Sequence, residues 1–330
     1  MSGSRESTAV TVSRVQGFEA ITLANRDLAL TTIPELGGKI SSLIDRRSGR
    51  EWLWTSEALP YRKLPYGTSY VGEADTGGWD ECFPTVAACR YPGPQYDEVL
   101  LPDHGELWPR SWETEIDHGA AVVRSRVAGT QLSYEFERSI EVLPGKAVVR
   151  LEYNVRNLAD HELLFIWCAH PLLAVEPGMQ ILLPSGTLVR RYSSIPDDLL
   201  AADEFLTWPP RVTVPGGETD FATIPEPEAG IAAKLWSEKL SEGWAALRAT
   251  DGEMRFVFDP ELVPQVGLWL NAGGWSATAG DPYFNLGLEP GIGAQDSLNE
   301  AVERYGQHGT VAARGERCWW LEVHLSTAGS

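Results

Sequence analysis

Positive charge is in short supply in this sequence: 27 Lys and Arg stand against 46 Asp and Glu, a formal net charge of −19. Repulsion of that sign makes a nucleic acid or an acidic membrane surface an unsuitable partner. Cysteine is scarce too. Cys82, Cys89, Cys168 and Cys318 lack the paired CxxC spacing of a structural zinc site and read as buried thiols. The opening stretch MSGSRESTAV contains no apolar h-region, so no secretory signal is visible and a reducing cytoplasm is the expected location. The longest run without charge, Leu262 to Gly280, spans 19 residues but holds four Gly, one Pro, Asn271 and Gln265, which would leave polar groups in lipid. No GxSxG elbow, P-loop, strand-to-helix GxGxxG or HExxH occurs, which argues against the common serine and zinc hydrolases.

What is present is globular: 43% of residues are hydrophobic and 22% charged, far from a disordered composition. Apolar residues alternate with period two at Ala9 to Val12, Ala20 to Leu23, Leu28 to Thr32, Val122 to Val127, Leu132 to Phe136, Val148 to Val155, Met254 to Phe258 and Cys318 to Leu325. Turn chemistry separates them at Glu35 to Gly38, Arg47 to Gly49, Pro144 to Gly145 and Pro215 to Gly217. Helical spacing occurs once, at Ser297 to Tyr305, after a cap at Asp296 or Ser297. The proline-rich, acidic stretch Ser193 to Gly230 reads as a long loop. No repeat of fixed period is found. The pattern predicts an all-β fold, one large antiparallel β-sandwich spanning residues 1–330 as a single domain.

Thirteen Trp against 9 Phe is an unusual balance, and Trp79, Trp108, Trp112, Trp167, Trp269 and Trp275 stand beside polar or Gly-rich segments. An indole offers an apolar face to the C–H side of a sugar while its N–H donates; it also simply fills a thick core. In GGWDECFP, neighbouring strand residues point to opposite faces, so Asp80 is the cleft carboxylate, and Glu81 meets an Arg or solvent. Glu73 and Asp75 lie nearby without the ligand pattern of a calcium loop, so no metal is expected. LPDHGELW presents His104 on a turn ahead of Glu106. His170 closes the apolar run FIWCAHP, satisfied either by a bland core or by a ligand at a pocket mouth. Glu289, in YFNLGLEPG, ends a buried strand and is either held by backbone donors or used as a base. Imidazole plus carboxylate is equipment for proton transfer.

The ordered series ELGGKISSLIDRRSGREWLW, GGWDECFP, LPDHGELW, CAHPLL with ILLP, and LGLEPGIGAQDSLNEA before a strand ending LEVHL resembles the aldose 1-epimerase (galactose mutarotase) superfamily, over about Ile33 to Leu325. The resemblance implies that family's large antiparallel sandwich, interconversion of the anomers of a free sugar, and no metal or cofactor. It makes Glu289 the base that takes the anomeric proton, His170 the acid that protonates the ring oxygen, and His104 a hydrogen-bonding group near that oxygen. Asp80, Trp79, Glu106, Trp269 and Trp275 would bind the sugar. The Arg and Asn that contact sugar in the family's first third have no counterpart here, which leaves the sugar open. A phosphorylated sugar would need Arg90 or Arg110 to face the cleft. The alternatives are a sugar-binding protein without turnover, and a glycosidase or lyase with Asp80 or Glu106 as second carboxylate. The partner expected is a small sugar, bound by a monomer or homodimer. His170 and Glu289 would meet across a pyranose-sized hollow.

Overall fold

Alternation of apolar and polar side chains gives a strand one dry and one wet face. Strand Tyr134–Val142 buries every second residue along its length, from Tyr134 to Val142. It belongs to an eight-stranded antiparallel sheet, in the order Gln180–Leu182, Trp244–Arg248, Gly252–Phe258, Glu316–Thr327, Val148–Asn157, Tyr134–Val142, Val122–Ala128 and Glu113–Asp117. The computed structural model describes residues 7–200, 204–214, 217–277 and 282–328.

A twelve-stranded antiparallel sheet packs against the first and carries the site. Its central strands are β1 (Lys39–Asp45), β2 (Trp79–Cys82), β3 (Trp167–Ala174), β4 (Ile231–Ser237), β5 (Gln265–Ala272) and β6 (Phe284–Ile292). They lie in the spatial order β1-β2-β3-β6-β5-β4. Here alternation gives way to continuous burial: every residue of β2 and β4 is buried, and all but one of β3, β5 and β6. A strand dry on both faces needs cover on both, so the connecting segments form a third layer over the outer face.

Aromatic rings fill the space between the sheets. Trp79 meets Phe256 at 5.6 Å, and Trp167 meets Tyr153 at 4.8 Å and Trp319 at 4.9 Å. Among them lies an ion pair with no exposed surface on either side chain, Glu81 with Arg138 at 3.0 Å. Tyr153 and the Trp167 indole also donate to Glu81, at 3.1 and 2.9 Å. Arg138 donates to the Gly38 carbonyl and stacks on Trp112. Burial pushes the Glu81 carboxyl up to about 7, against the pull of Arg138.

The all-β expectation and the single helical segment agree with the structure. Ser297 is the cap, accepting from the Glu300 amide, and Gly306 ends the segment at φ 63°. The reading of Ser193 to Gly230 as one long loop is corrected: strands Phe205–Thr207, Arg211–Val214 and Gly217–Asp220 form within it. The burial of Trp208, Val212, Phe221 and Ile224 anchors it despite the prolines. Pro215, in the turn expected at Pro215 to Gly217, lies outside the described residues. Of the four thiols expected to be buried, Cys82 and Cys168 are; Cys89 is half-buried and Cys318 exposed, because Cys318 falls on the wet face of its strand. Among the described residues no helix is long and apolar enough to cross a membrane.

Removing one member of a buried ion pair strands the other charge. Arg138→Met is therefore expected to lower the free energy of unfolding by roughly 3–5 kcal/mol, read from urea denaturation.

Candidate functional site

Register brings the chemistry together. His170 pairs across strands with Asp80, while the pairs Cys168↔Gly291 and Leu172↔Gly287 on β3 and β6 place His170 opposite Glu289. Asp80, His170 and Glu289 thus run side by side over three adjacent strands. The period-two rule sends all three to the outer face and Trp79 and Glu81 inward.

Glycines make room for the carboxylate. A Cβ on Gly287 would stand 2.4 Å from Glu289 Oε1, and one on Gly267 would stand 2.8 Å from Oε2. In the space so left, Lys234 Nζ donates to Glu289 Oε2, and Cys168 Sγ approaches the same oxygen at 3.6 Å. Asp296 stands 3.8 Å from Lys234 and accepts from the Trp236 indole at 2.7 Å. Among the described residues Oε1 has no hydrogen-bond partner, and His170 Nε2 lies 3.7 Å from it.

The Asp80 side is built in the same way. Lys39 Nζ binds Asp80 Oδ2 at 2.5 Å and the Gly77 carbonyl at 2.7 Å, and the Tyr70 hydroxyl donates to the same Asp80 oxygen at 2.7 Å. His104 arrives on a turn pinned by His104 N to Val86 O at 2.6 Å and Glu106 N to Phe83 O at 2.8 Å. Its φ of 58° is a strained value for a non-glycine residue. Asp103 Oδ1 lies 2.7 Å from His104 Nδ1, fixing the ring. Tyr70 stacks on His104 at 3.9 Å, and the His104 and His170 rings stand edge to face at 4.8 Å.

Burial dominates the electrostatics. It drives the His170 pKa well below the usual imidazole value, helped by His104, Lys234 and Lys39, so the ring is neutral at pH 7. It raises the Glu289 pKa while Lys234 pulls the other way. Burial also works against the Lys234 charge, yet Asp296 and Glu289 overcome it and raise that pKa. Burial lifts Asp75 to about 6.

The structure brings His170, Glu289, His104 and Asp80 together, but several expectations need correcting. Trp79 does not face the site; it lies between the sheets. Glu106 is spent on structure, accepting from the Tyr66 hydroxyl at 2.8 Å and the Gln131 and Thr130 amides at 2.7 and 3.2 Å. Trp112 and Trp167 belong to the core, whereas Trp108 packs on Tyr70. Trp269 and Trp275 are half-buried and meet each other at 6.0 Å; Trp269 sits opposite Gly287, two pairs along from Glu289. Arg90 bonds the Asp97 carbonyl and Arg110 the Thr130 hydroxyl, so neither turns to the site. The open hollow expected between His170 and Glu289 is closed: Glu289 has 0% exposure, His170 7% and His104 8%, with Tyr70 lying over the imidazoles. A hollow of about 590 Å³ lies elsewhere, on the outer face of the eight-stranded sheet beside Trp320, Glu152 and Arg124.

Sequence reasoning missed Lys39, Lys234, Tyr70, Trp236 and Asp296. Only Lys234 carried a signal, a lone charge inside the apolar strand IAAKLWS, where an unpaired ammonium would be costly.

A domain family of unknown function (DUF5107) matches residues 5–92. No curated protein matches. Among solved structures, the Slr1438 protein from Synechocystis sp. PCC 6803 is 17% identical with a TM-score of 0.67, covering 98% of this chain and 97% of its own. A galactose mutarotase-like protein from Lactobacillus casei is 14% identical, TM-score 0.65, covering 93% and 100%. Another from Clostridium acetobutylicum is 13% identical, TM-score 0.63, covering 97% and 99%. At these identities the likeness is one of fold: the chain has the galactose mutarotase-like sandwich.

Gly287→Ala places a methyl group where Glu289 Oε1 and the Trp269 Cβ already stand. The expected outcome is a loss of roughly 1–3 kcal/mol in unfolding free energy from overpacking, measured by denaturant titration.

Proposed function

We propose that the chain is an aldose 1-epimerase-like isomerase that interconverts the anomers of a monosaccharide or a derivative of one. The observation that carries this reading is the pairing of His170 with Glu289 across β3 and β6, each with a buried polar atom that has no partner among the described residues, on a galactose mutarotase-like fold. Those atoms are an invitation to a ligand with hydroxyls and a ring oxygen.

In the proposed reaction Glu289 Oε1 takes the proton of the anomeric hydroxyl as His170 delivers one to the ring oxygen. The bond from C1 to the ring oxygen breaks, the aldehyde forms and turns, and the reverse transfers close the other anomer. Lys234 and Cys168 occupy Oε2 and leave Oε1 for the substrate. His104, its ring fixed by Asp103, donates toward the ring oxygen, and Asp80, held by Lys39, orients hydroxyls. The sugar takes the place of Tyr70 over the imidazoles, with Trp269 and Trp275 as apolar wall. Both site lysines are already matched to carboxylates, which favours an uncharged sugar over a phosphorylated one.

The proposed step needs one proton on the pair, on His170 while Glu289 is ionised; burial works against that imidazolium, so only a minor fraction at pH 7 is in the reactive form, and the two apparent pKa values belong to the pair. Activity is therefore expected to be bell-shaped in pH. Replacing the cation beside Glu289 disfavours the carboxylate, so its pKa rises and the acidic limb of kcat/KM moves to higher pH in Lys234→Met. A limb that stays in place removes Glu289 as the base.

Polarimetry of freshly dissolved α-sugars tests the reaction itself. His170→Asn and Glu289→Gln are each expected to slow anomer exchange by about 10²–10⁴. Folded variants as fast as wild type would sink the assignment, and calorimetric sugar binding without acceleration would make the chain a binding protein instead.

A further inference from the structure

One feature of the cluster is not used by proton transfer. Cys82 lies on the outer face of β2, two residues from Asp80 and paired across strands with Cys168. Its sulfur and ring nitrogens of His104 and His170 lie within 4.8 Å of one another, all three residues buried. We infer that Cys82, His104 and His170 form a binding site for a soft divalent cation of zinc's kind, and that its occupancy shuts off the acid–base pair.

The donor set selects the ion. One thiolate and two imidazoles suit zinc, whereas calcium and magnesium demand oxygen. Zinc bonds of about 2.0–2.1 Å to nitrogen and 2.3 Å to sulfur place tetrahedral donors about 3.3–3.6 Å apart. From 4.8 Å, the widest pair has to close by roughly 1.2–1.5 Å, a side-chain adjustment. The support is in place as well. Asp103 holds His104 Nδ1 at 2.7 Å, the carboxylate–histidine arrangement that orients metal ligands and leaves Nε2 to bind. His170 Nδ1 is buried without a partner, and its Nε2 has only Glu289 Oε1, itself unpartnered, at 3.7 Å. That oxygen, 3.7 Å from His170 Nε2, can supply the fourth position. Ligands drawn from β2, the His104 turn and β3 leave no CxxC-type spacing, which is why the sequence is silent on the site.

Binding converts the Cys82 thiol to thiolate and releases its proton to solvent. A cation on either His170 nitrogen prevents the imidazolium that would protonate the ring oxygen. The inhibitory half rests on the mutarotase reading; the binding half does not.

The test titrates zinc chloride into the full-length protein by calorimetry and repeats the titration with cobalt, whose thiolate charge-transfer band reports sulfur ligation. Wild type is expected to bind one zinc per chain and to show the band. Cys82→Ala, checked for folding by circular dichroism, is expected to bind at least about tenfold more weakly and lose the band. Cys318→Ser, which removes the exposed thiol, is expected to keep both. Absence of stoichiometric binding in wild type, or zinc binding and a cobalt band unchanged in Cys82→Ala, overturns the site. With a sugar that wild type turns over, zinc should slow wild type and spare Cys82→Ala; equal inhibition of both overturns the inhibitory half. A protein that binds zinc through Cys82 yet epimerises no sugar keeps the site and loses the reading of the reaction.

Discussion

The site depends on one ion pair, Lys234 with Glu289, holding a carboxylate charged where no water reaches it. An unpaired carboxylate in that position would take up a proton and cease to be a base. Lys234 is itself nearly as buried, and it remains charged because Asp296 and Glu289 share it. The arrangement also needs space. Gly267 and Gly287 flank Glu289 on its own face of the sheet, and any side chain at either would occupy the carboxylate's position. Charge, partner and clearance are set by neighbouring strands, so a slip of one residue between β5 and β6 would turn the whole group to the other face.

The adjacent residues Asp80 and Glu81 show how one strand serves two purposes. Glu81 turns inward to Arg138 and ties the two sheets together through a dry core. Asp80 turns outward to Lys39 and Tyr70 and belongs to the site. Both carboxylates are paired and hydrogen-bonded, as buried charges must be. Only the outward one, like Glu289 beside it, keeps an oxygen without a partner. Structural carboxylates here are saturated, as Glu81 and Glu106 are. Asp80 and Glu289 are each held by one oxygen and open at the other.

That distinction explains how far the sequence could be read. Alternating runs are a property of the chain itself, so the strands, the opposed directions of Asp80 and Glu81 and the Ser297 cap were legible. The meeting of His170 with Glu289 was expected from resemblance rather than from any local pattern, because 119 positions separate them and only sheet register joins them. Trp79 was misassigned because GGWDECFP shows which residues share a face, but not which face is the core; Glu106 was misassigned because LPDHGELW does not show that Tyr66 and the Thr130 and Gln131 amides take its oxygens. Lys39, Tyr70 and Asp296 reach the site from across the sheet or from the covering layer. A contact of that kind leaves no trace in spacing.

Closure of the site follows from the same physics that charges it. Excluding water strengthens every interaction of Glu289 with Lys234 and His170, since a low dielectric screens them less. Tyr70 packs on both imidazoles, held by stacking on His104 and a hydrogen bond to Asp80. Each of those contacts is of a type that a sugar can replace: a flat apolar surface against an imidazole, and a hydroxyl on a carboxylate. Tyr70 thus presents to the cluster the same chemistry as the proposed ligand. On the proposed reading, a sugar that took the place of Tyr70 would also offer hydroxyls to Asp80 Oδ1 and His170 Nδ1, the atoms that Tyr70 leaves without a partner among the described residues.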